Sequence, residues 1–175
     1  MNTNFRDQFI LFLLLSLHAV YAFGQNASNS KPNIFIYIAD DHNSWDYFTF
    51  GNTQVKTTNF DRLVNEGLSF SNAYTSQAIC APSRSQLFTG LYPMKNGCFA
   101  NHLPVRNVKD INDFMSELGY DVVLAGKGHI KPNSVFNWTR YFPTNSDRLI
   151  PIKKVKDYIA NSQKPLCIIF SSDLP

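Results

Sequence analysis

The chain has 175 residues, of which 44% are hydrophobic and 17% are charged, and its formal net charge is +3 at pH 7. This length is enough for one domain with a core, and the composition is that of a globular protein rather than a disordered one. The small positive charge, without any run of Lys and Arg, gives no support for a nucleic-acid partner and would not repel an anionic substrate.

The first residues have the layout of a secretory signal peptide, which we predict over residues 1–24. A polar stretch with Arg6 precedes an apolar run over residues 9–20, and Val20-Tyr21-Ala22 resembles a cleavage site. The apolar run is shorter than the ~20 residues of a membrane-spanning helix, so we expect no stable membrane anchor. The protein is therefore predicted to be secreted or periplasmic, or lysosomal or extracellular in a eukaryote, with residues 25–31 as a linker.

Strands and helices alternate after this linker. A continuous apolar run over residues 33–39 predicts a strand buried on both faces. Further strands or extended segments are predicted over residues 68–74, 121–125 and 166–170. Helices are predicted over 59–66 with Thr58 as cap, after Pro82, and over 110–118 and 152–161. This order predicts an α/β fold, a three-layer sandwich with a largely parallel central sheet.

Two adjacent carboxylates, Asp40 and Asp41, directly follow the first predicted strand. The carboxyl ends of parallel strands are where ligands gather in such a sheet. Adjacent carboxylates repel each other unless a cation or a basic group lies between them, and oxygen ligands suit Ca²⁺ or Mg²⁺. A solvated loop that caps a helix would carry the same pair, so the pair alone does not separate the two interpretations.

Cys80 is the most informative residue of the chain. With Cys98 and Cys167 it makes an odd number of cysteines, so an exported protein would keep at least one thiol unpaired. Cys80 lies just before a predicted helix, where free N–H groups and the helix dipole favour an anion. Arg84 adds a planar fork of donors suited to a tetrahedral oxyanion. A buried structural cysteine is the alternative, and the neighbouring Pro82 and Arg84 argue against it.

The segment Cys80-Ala81-Pro82-Ser83-Arg84, continued by residues 85–90, resembles the signature of type I, formylglycine-dependent sulfatases of the alkaline-phosphatase-like superfamily. Three further matches occur in the family's order: residues 32–34 leading to Asp40-Asp41, residues 58–63 before Glu66-Gly67, and Gly119-Tyr120 leading to residues 126–129. The resemblance spans nearly all of residues 32–175. It implies the N-terminal part of a sulfatase catalytic domain, incomplete at the C-terminus.

The resemblance implies a metal site and a modified nucleophile. Cys80 would be oxidised to formylglycine by a formylglycine-generating or anaerobic sulfatase-maturating enzyme. Asp40 and Asp41 would bind Ca²⁺, or Mg²⁺ as the alternative, together with an oxygen of modified Cys80. Arg84 would hold the hydrate of the aldehyde.

Two residues after the predicted strand 121–125 have implied roles in sulfate chemistry. Lys127 would contact both the sulfate and the hydrate, and His129 would hydrogen-bond the hydrate and help expel sulfate in the second half-reaction. The family usually carries a large residue between them, where this chain has Gly128. His102, which follows Asn101 in a predicted loop, is a further candidate for contact with the substrate.

The implied activity is hydrolysis of a sulfate ester, on a sulfated carbohydrate or an aryl sulfate. A hydrate oxygen would attack sulfur and release the alcohol, and the second hydroxyl would collapse to the aldehyde and eject sulfate. The cation and Lys127 would neutralise the sulfate oxygens. Two other functions stay open: a phosphodiesterase or phosphonate hydrolase of the same superfamily, and an inactive protein that binds sulfated glycans.

The family's remaining metal ligands and a substrate-binding histidine are expected beyond Pro175, because Ser171-Ser172-Asp173-Leu174-Pro175 resembles the lead-in to the family's Pro-His motif. We therefore expect little catalysis and no tight calcium binding from residues 1–175 alone.

Overall fold

A four-stranded sheet organises residues 31–175, the part of the chain that the computed structural model describes. Its strands are β1 (Ile34–Ile38), β2 (Asp121–Gly126), β3 (Arg140–Phe142) and β4 (Leu166–Ser171), in the order β1-β4-β2-β3. Each neighbouring pair is parallel. All four strands therefore deliver their carboxyl ends to one edge, as predicted for a largely parallel sheet.

Five helices and two short 3₁₀ turns are found among the described residues. The helices are α1 (Thr58–Glu66), α2 (Cys80–Thr89), α3 (Pro93–Asn96), α4 (Ile111–Glu117) and α5 (Ile152–Asn161), and the turns are Ser44–Asp46 and Phe48–Phe50. The four predicted helices are found, and α1, α4 and α5 begin within one residue of the prediction, although the N-cap of α1 is Thr57 rather than Thr58. Helix α2 begins earlier than predicted, at Cys80 instead of after Pro82, and α3 was not predicted. Asp110 caps α4, because its side chain accepts from the backbone N–H groups of Asn112 and Asp113.

The two faces of the sheet carry separate clusters of buried side chains. On one face Leu124 and Ile169 belong to the same cluster as Ala81 and Phe88 of α2. On the other face Val123 and Ile168 pack with Val155 of α5, and successive strand residues alternate between the faces. Helices therefore cover both sides of the sheet, which confirms the predicted α/β sandwich.

The prediction that the first strand is buried on both faces is wrong for the described residues. Phe35 and Tyr37 of β1 are 57% and 63% exposed. Within residues 31–175, β1 pairs with β4 alone and forms one edge of the sheet. The apolar sequence provides surfaces for burial on both sides of this strand, whereas the described elements cover only one side.

The segment over residues 68–74 forms neither a strand nor a helix, contrary to the first of its two predicted forms. Leu68, Phe70 and Tyr74 are exposed. A strand needs a hydrogen-bonded neighbour, and no described strand lies beside this segment. It therefore does not form a strand in spite of its strand-like composition.

Contacts between Cα atoms divide the chain into Met1–Lys31 and Pro32–Pro175. The predicted signal peptide lies outside the described residues, as does the predicted linker apart from Lys31, so both stay predictions. No helix within residues 31–175 has the length and apolar character needed to cross a bilayer.

Candidate active site

Asp40 lies at the centre of a charged cluster at the carboxyl edge of the sheet. It follows β1 and is 6% exposed. Its Oδ1 accepts a hydrogen bond from Arg84 Nη2 at 3.0 Å, and its Oδ2 accepts one from Lys127 Nζ. Burial opposes ionisation of Asp40, but the hydrogen bonds from Lys127 and Arg84 outweigh it and lower the pKa of this carboxyl. Asp40 is therefore a paired carboxylate at neutral pH.

Arg84 connects helix α2 to three strand ends. Its side chain is buried, and Nη1 donates to the carbonyl oxygen of Lys127 at 3.2 Å and to Ser171 Oγ, while Nη2 reaches Asp40. These partners follow or end β2, β4 and β1 respectively. A planar guanidinium can serve several acceptors at fixed angles, which suits it to hold three segments together.

Lys127 turns into the site directly after β2. Gly126 has a φ of 109°, and a Cβ at this position would lie 1.9 Å from the carbonyl oxygen of Ser171, so the close approach to β4 requires glycine. Burial opposes the charge of Lys127, but hydrogen bonds to Asp40 and Asp173 outweigh it and raise the pKa of the ammonium. Lys127 is thus held as a cation between two carboxylates.

Asp173 and Arg148 continue this series of ion pairs beyond Lys127. Asp173 Oδ1 lies 3.0 Å from Lys127 Nζ, and its Oδ2 accepts from Arg148 Nε at 2.9 Å. The hydrogen bonds from Arg148 and then Lys127 lower the pKa of Asp173 to about 2, although partial desolvation opposes this. The order Arg84–Asp40–Lys127–Asp173–Arg148 alternates cation and anion along its whole length.

Cys80 is the first residue of α2 and lies beside the same acids. A cleft of about 460 Å³ is lined by Cys80, Asp40, Asp41, Arg84 and neighbouring residues. All three cysteines are free thiols, but Cys80 is partly exposed whereas Cys98 and Cys167 are buried. The alternative of a buried structural cysteine at position 80 is therefore not supported.

Four residues other than glycine have a positive φ among the described residues, and all four belong to this region. Their φ values are 51° for Asp41, 70° for His102, 49° for His129 and 64° for Arg148. This left-handed conformation costs a non-glycine residue about 1–2 kcal/mol and is frequent at functional sites. Asp41 lines the cleft with Cys80, and Arg148 binds Asp173.

His129 and His102 face each other, with ring centroids 5.7 Å apart. Burial, followed by the charges of Lys127 and His102, lowers the pKa of His129. The Nδ1 atom of His129 is buried and has no hydrogen-bond partner among the described residues. A neutral imidazole with an unused nitrogen can exchange a proton with a ligand.

The described residues supply part of a site for a hard cation. Asp40 and Asp41 offer carboxylate oxygens in one cleft, and a carboxylate has about four lone-pair sites, so the two bonds to Asp40 leave acceptor capacity. No group of three or more His, Cys, Asp or Glu side chains suited to an ion is present within residues 31–175. Ca²⁺ takes about six to eight oxygen ligands, so these residues fit the ion only in company with further donors.

Only part of the predicted site shares one cleft, since His129 lines a separate cavity with Trp138 and Tyr141, and the structure adds other residues. Asp40, Asp41, Cys80 and Arg84 share one cleft, Lys127 binds Asp40, and His102 faces His129. The sequence analysis assigned no role to Asp173 or Arg148, and it named Asn101 only with His102, as a polar pair in a predicted loop. The rule that ligands gather at strand ends points to Asp173 after β4, but no sequence signal identifies Arg148.

Trp138 could stack on a sugar ring or pack in the core, and its side chain is partly buried against the cluster that contains Phe88 and Phe136. Its ring stacks on Phe136, with centroids 6.1 Å apart, and meets Phe88 edge to face at 5.4 Å. These contacts favour the packing role.

The family model described as Sulfatase matches residues 32–173. An ulvan-active sulfatase of Formosa agariphila is 47% identical over 156 residues, which cover 86% of this chain and 31% of that protein. A putative sulfatase from Bacteroides thetaiotaomicron has a similar structure, with a TM-score of 0.66 and 28% identity over 83% of this chain and 36% of that one.

A phosphonate monoester hydrolase of Agrobacterium radiobacter has a TM-score of 0.65 at 16% identity, over 81% of this chain and 40% of its own, and shares the fold alone.

This chain spans less than a third of the length of the ulvan-active relative. The family model covers residues 32–173, and the identity with the relative extends over 86% of this chain. The chain belongs to the sulfatase family.

Proposed function

We propose that the protein containing this chain hydrolyses sulfate esters of a sulfated carbohydrate, with Cys80 converted to formylglycine. The observation that carries the proposal is the shared cleft, in which residue 80 opens α2 beside Asp40 and Asp41. Arg84 and Lys127 place two cations on Asp40 in the same region. This arrangement sets a nucleophile among groups that neutralise an anionic ester.

The proposed cation is Ca²⁺, with Mg²⁺ as the alternative, held by Asp40, Asp41 and residue 80 together with further oxygen donors. Formylglycine at residue 80 would supply an oxygen nucleophile, and the bound cation would neutralise sulfate oxygens. The carboxylate of Asp40 is already ionised by its partners, so cation binding need not displace a proton from it. Asp41 brings a second, exposed carboxylate to the cleft.

The proposed roles of the basic residues follow from their partners. Lys127 keeps its charge and its ammonium binds Asp40, which lines the cleft, so its proposed role is to bind an oxygen of the ester. Arg84 is tied to three acceptors and fixes the position of α2, which carries residue 80. Neutral His129 accepts a proton from residue 80 or returns one, and His102 contacts the substrate beside it.

The substrate class proposed from the relatives is a sulfated polysaccharide, and ulvan is the first to test. Purified full-length protein would be incubated with ulvan, other sulfated polysaccharides, an aryl sulfate and an aryl phosphate diester. Release of sulfate from a polysaccharide, measured by ion chromatography, is the expected result. Preferential cleavage of the phosphate diester would favour a phosphodiesterase, and glycan binding without sulfate release would favour an inactive binding protein.

We also propose that the protein is exported through residues 1–24 and that a maturating enzyme modifies Cys80. The support is the sequence pattern of the leader and the partial exposure of Cys80 in a cleft. Intact mass of the native protein is expected to show removal of the leader and a loss of about 18 Da at residue 80, where an aldehyde replaces the thiol. An unmodified thiol in protein from its own source would contradict the formylglycine proposal.

A further inference from the structure

The residue that precedes helix α2 has no side-chain oxygen with which to cap it. The N-cap position is held by Ile79, whose side chain forms no capping hydrogen bond. Ser, Thr, Asp and Asn are the usual N-caps, because a side-chain oxygen there accepts from a free N–H group of the first turn. Isoleucine leaves these donors without a local partner, in the turn that carries Cys80.

Asn101 supplies the missing acceptor from another loop. Its Oδ1 accepts from the backbone N–H of Ala81 at 3.1 Å, and the Cys80 thiol donates to the same oxygen with an Sγ–Oδ1 distance of 3.7 Å. A backbone N–H can only donate, so the amide atom that faces Ala81 has to be the oxygen. One side-chain oxygen therefore contacts both the first turn of α2 and the reactive atom of residue 80.

We propose that Asn101 is a positioning residue that orients residue 80 at the start of α2. The proposal deepens the proposed function, since it assigns the group that aims the nucleophile. The aldehyde of formylglycine has no donor, but its hydrate carries hydroxyl groups, which are stronger donors than a thiol, so a hydrate hydroxyl that faces Oδ1 would make this hydrogen bond. A fixed hydrogen-bond direction leaves fewer orientations from which an oxygen can attack the ester.

The position of Asn101 in the site agrees with this role. It immediately precedes His102, whose ring faces His129. The loop that brings His102 to the site thus also holds the nucleophile, and both residues depend on the same backbone conformation. His102 itself has a φ of 70°, which turns the chain sharply after Asn101.

The first test uses protein made without a maturating enzyme, so that residue 80 stays a thiol. Cys98 and Cys167 are 0% and 1% exposed, and alkylation of the folded protein by iodoacetamide is measured on the peptide that carries Cys80. Asn101→Ala is expected to speed alkylation about fivefold, equivalent to the loss of one hydrogen bond. An unchanged rate would overturn the proposal.

A matched control separates positioning from general destabilisation. Asp110→Ala removes the cap of α4, at the opposite end of β2 from the site, and should lower the melting temperature while leaving the Cys80 alkylation rate unchanged. Asn101→Asp keeps an acceptor of the same shape and should alkylate no faster than wild type. Should Asn101→Asp react as fast as Asn101→Ala, the acceptor would have no part in holding residue 80.

The second test measures the matured full-length enzyme. Asn101→Ala is expected to lower kcat roughly tenfold to a hundredfold with KM nearly unchanged, because substrate binding is intact and the nucleophile is misdirected. A rise in KM alone would contradict the proposal. If wild type releases no sulfate, the proposed function fails, while the alkylation rates still decide whether Asn101 holds residue 80.

Discussion

Lys127 and Asp173 are joined by an ion pair of 3.0 Å that ties the segment after β2 to the segment after β4. The same lysine binds Asp40 after β1, so one ammonium links three neighbouring strand ends. Asp173 is in turn held by Arg148. The carboxyl edge of the sheet is therefore stabilised by alternating charges rather than by an apolar core.

Replacement of Asp173 by Asn should loosen Lys127. The variant loses the charge that faces both Lys127 and Arg148, and we expect a decrease of about 1.5–3 kcal/mol in the free energy of unfolding, typical of hydrogen bonds to charged groups. Urea unfolding at pH 7 measures the change. Asp157→Asn is the control, because its pair with Lys153 is exposed and should contribute less than about 1 kcal/mol.

The lowered pKa of Asp173 predicts how the stability of the fold changes in acid. Its pKa of about 2 lies below the ordinary value of 3.8, so the folded state binds this proton less readily than the unfolded state. The resulting stability is fully present above about pH 4 and is lost as the pH falls towards 2. Urea unfolding at several pH values should show a weaker loss of stability in Asp173→Asn than in wild type. Equal slopes would contradict this prediction.

Arg84→Lys tests whether the guanidinium fork matters beyond its charge. A lysine reaches Asp40 but cannot serve Ser171 and the carbonyl of Lys127 with the same geometry. We expect a loss of about 1–3 kcal/mol, because buried acceptors lose their donor while the positive charge beside Asp40 is kept. Arg62→Lys is the matched control, since the exposed pair of Arg62 with Glu66 should be worth less than about 1 kcal/mol.

Asp41→Asn tests the proposed cation site without disturbing the backbone. Asp41 has a φ of 51°, and asparagine tolerates this left-handed conformation. The unfolding free energy should stay near that of wild type. In the full-length protein, the Ca²⁺ concentration for half-maximal sulfate release should rise at least roughly tenfold, comparable with the loss of a metal-site partner. An unchanged calcium dependence would exclude Asp41 as a ligand.

The pH dependence of sulfate release should report His129. Burial and neighbouring cations lower its pKa below 6.5, so the imidazole is neutral at pH 7 and becomes protonated only in more acidic solution. We expect kcat/KM to be level near pH 7 and to fall as the pH drops below 6.5. His129→Ala should lower activity and remove this acidic limb. An acidic limb that persists unchanged in the variant would assign it to another group.

Local sequence signals predicted the helices well. Helix α5 has the predicted limits, Ile152–Asn161, and α4 begins after its predicted first residue, Asp110, which is its cap. These features depend on residues within about one helical turn of each other, through periodicity, capping and glycine stops. The resemblance of the segment from Cys80 to Arg84 likewise required no knowledge of the fold.

The sequence did not predict the contacts between residues that are far apart along the chain. Asn101 meets Cys80 across 21 positions, and Arg148 meets Asp173 across 25. Nothing in a polar loop residue identifies its partner, because the partner is selected when packed strands and helices bring two loops together.

The sequence by itself predicted four of the five described helices, the acids and bases that follow the strands, and the segment that carries the reactive cysteine. Tertiary structure alone decided that β1 lies at an edge of the described sheet and that Asp173 shares Lys127 with Asp40. The reason is physical: helical periodicity and capping act between near neighbours, whereas strand order and charge pairing depend on how the whole chain closes on itself.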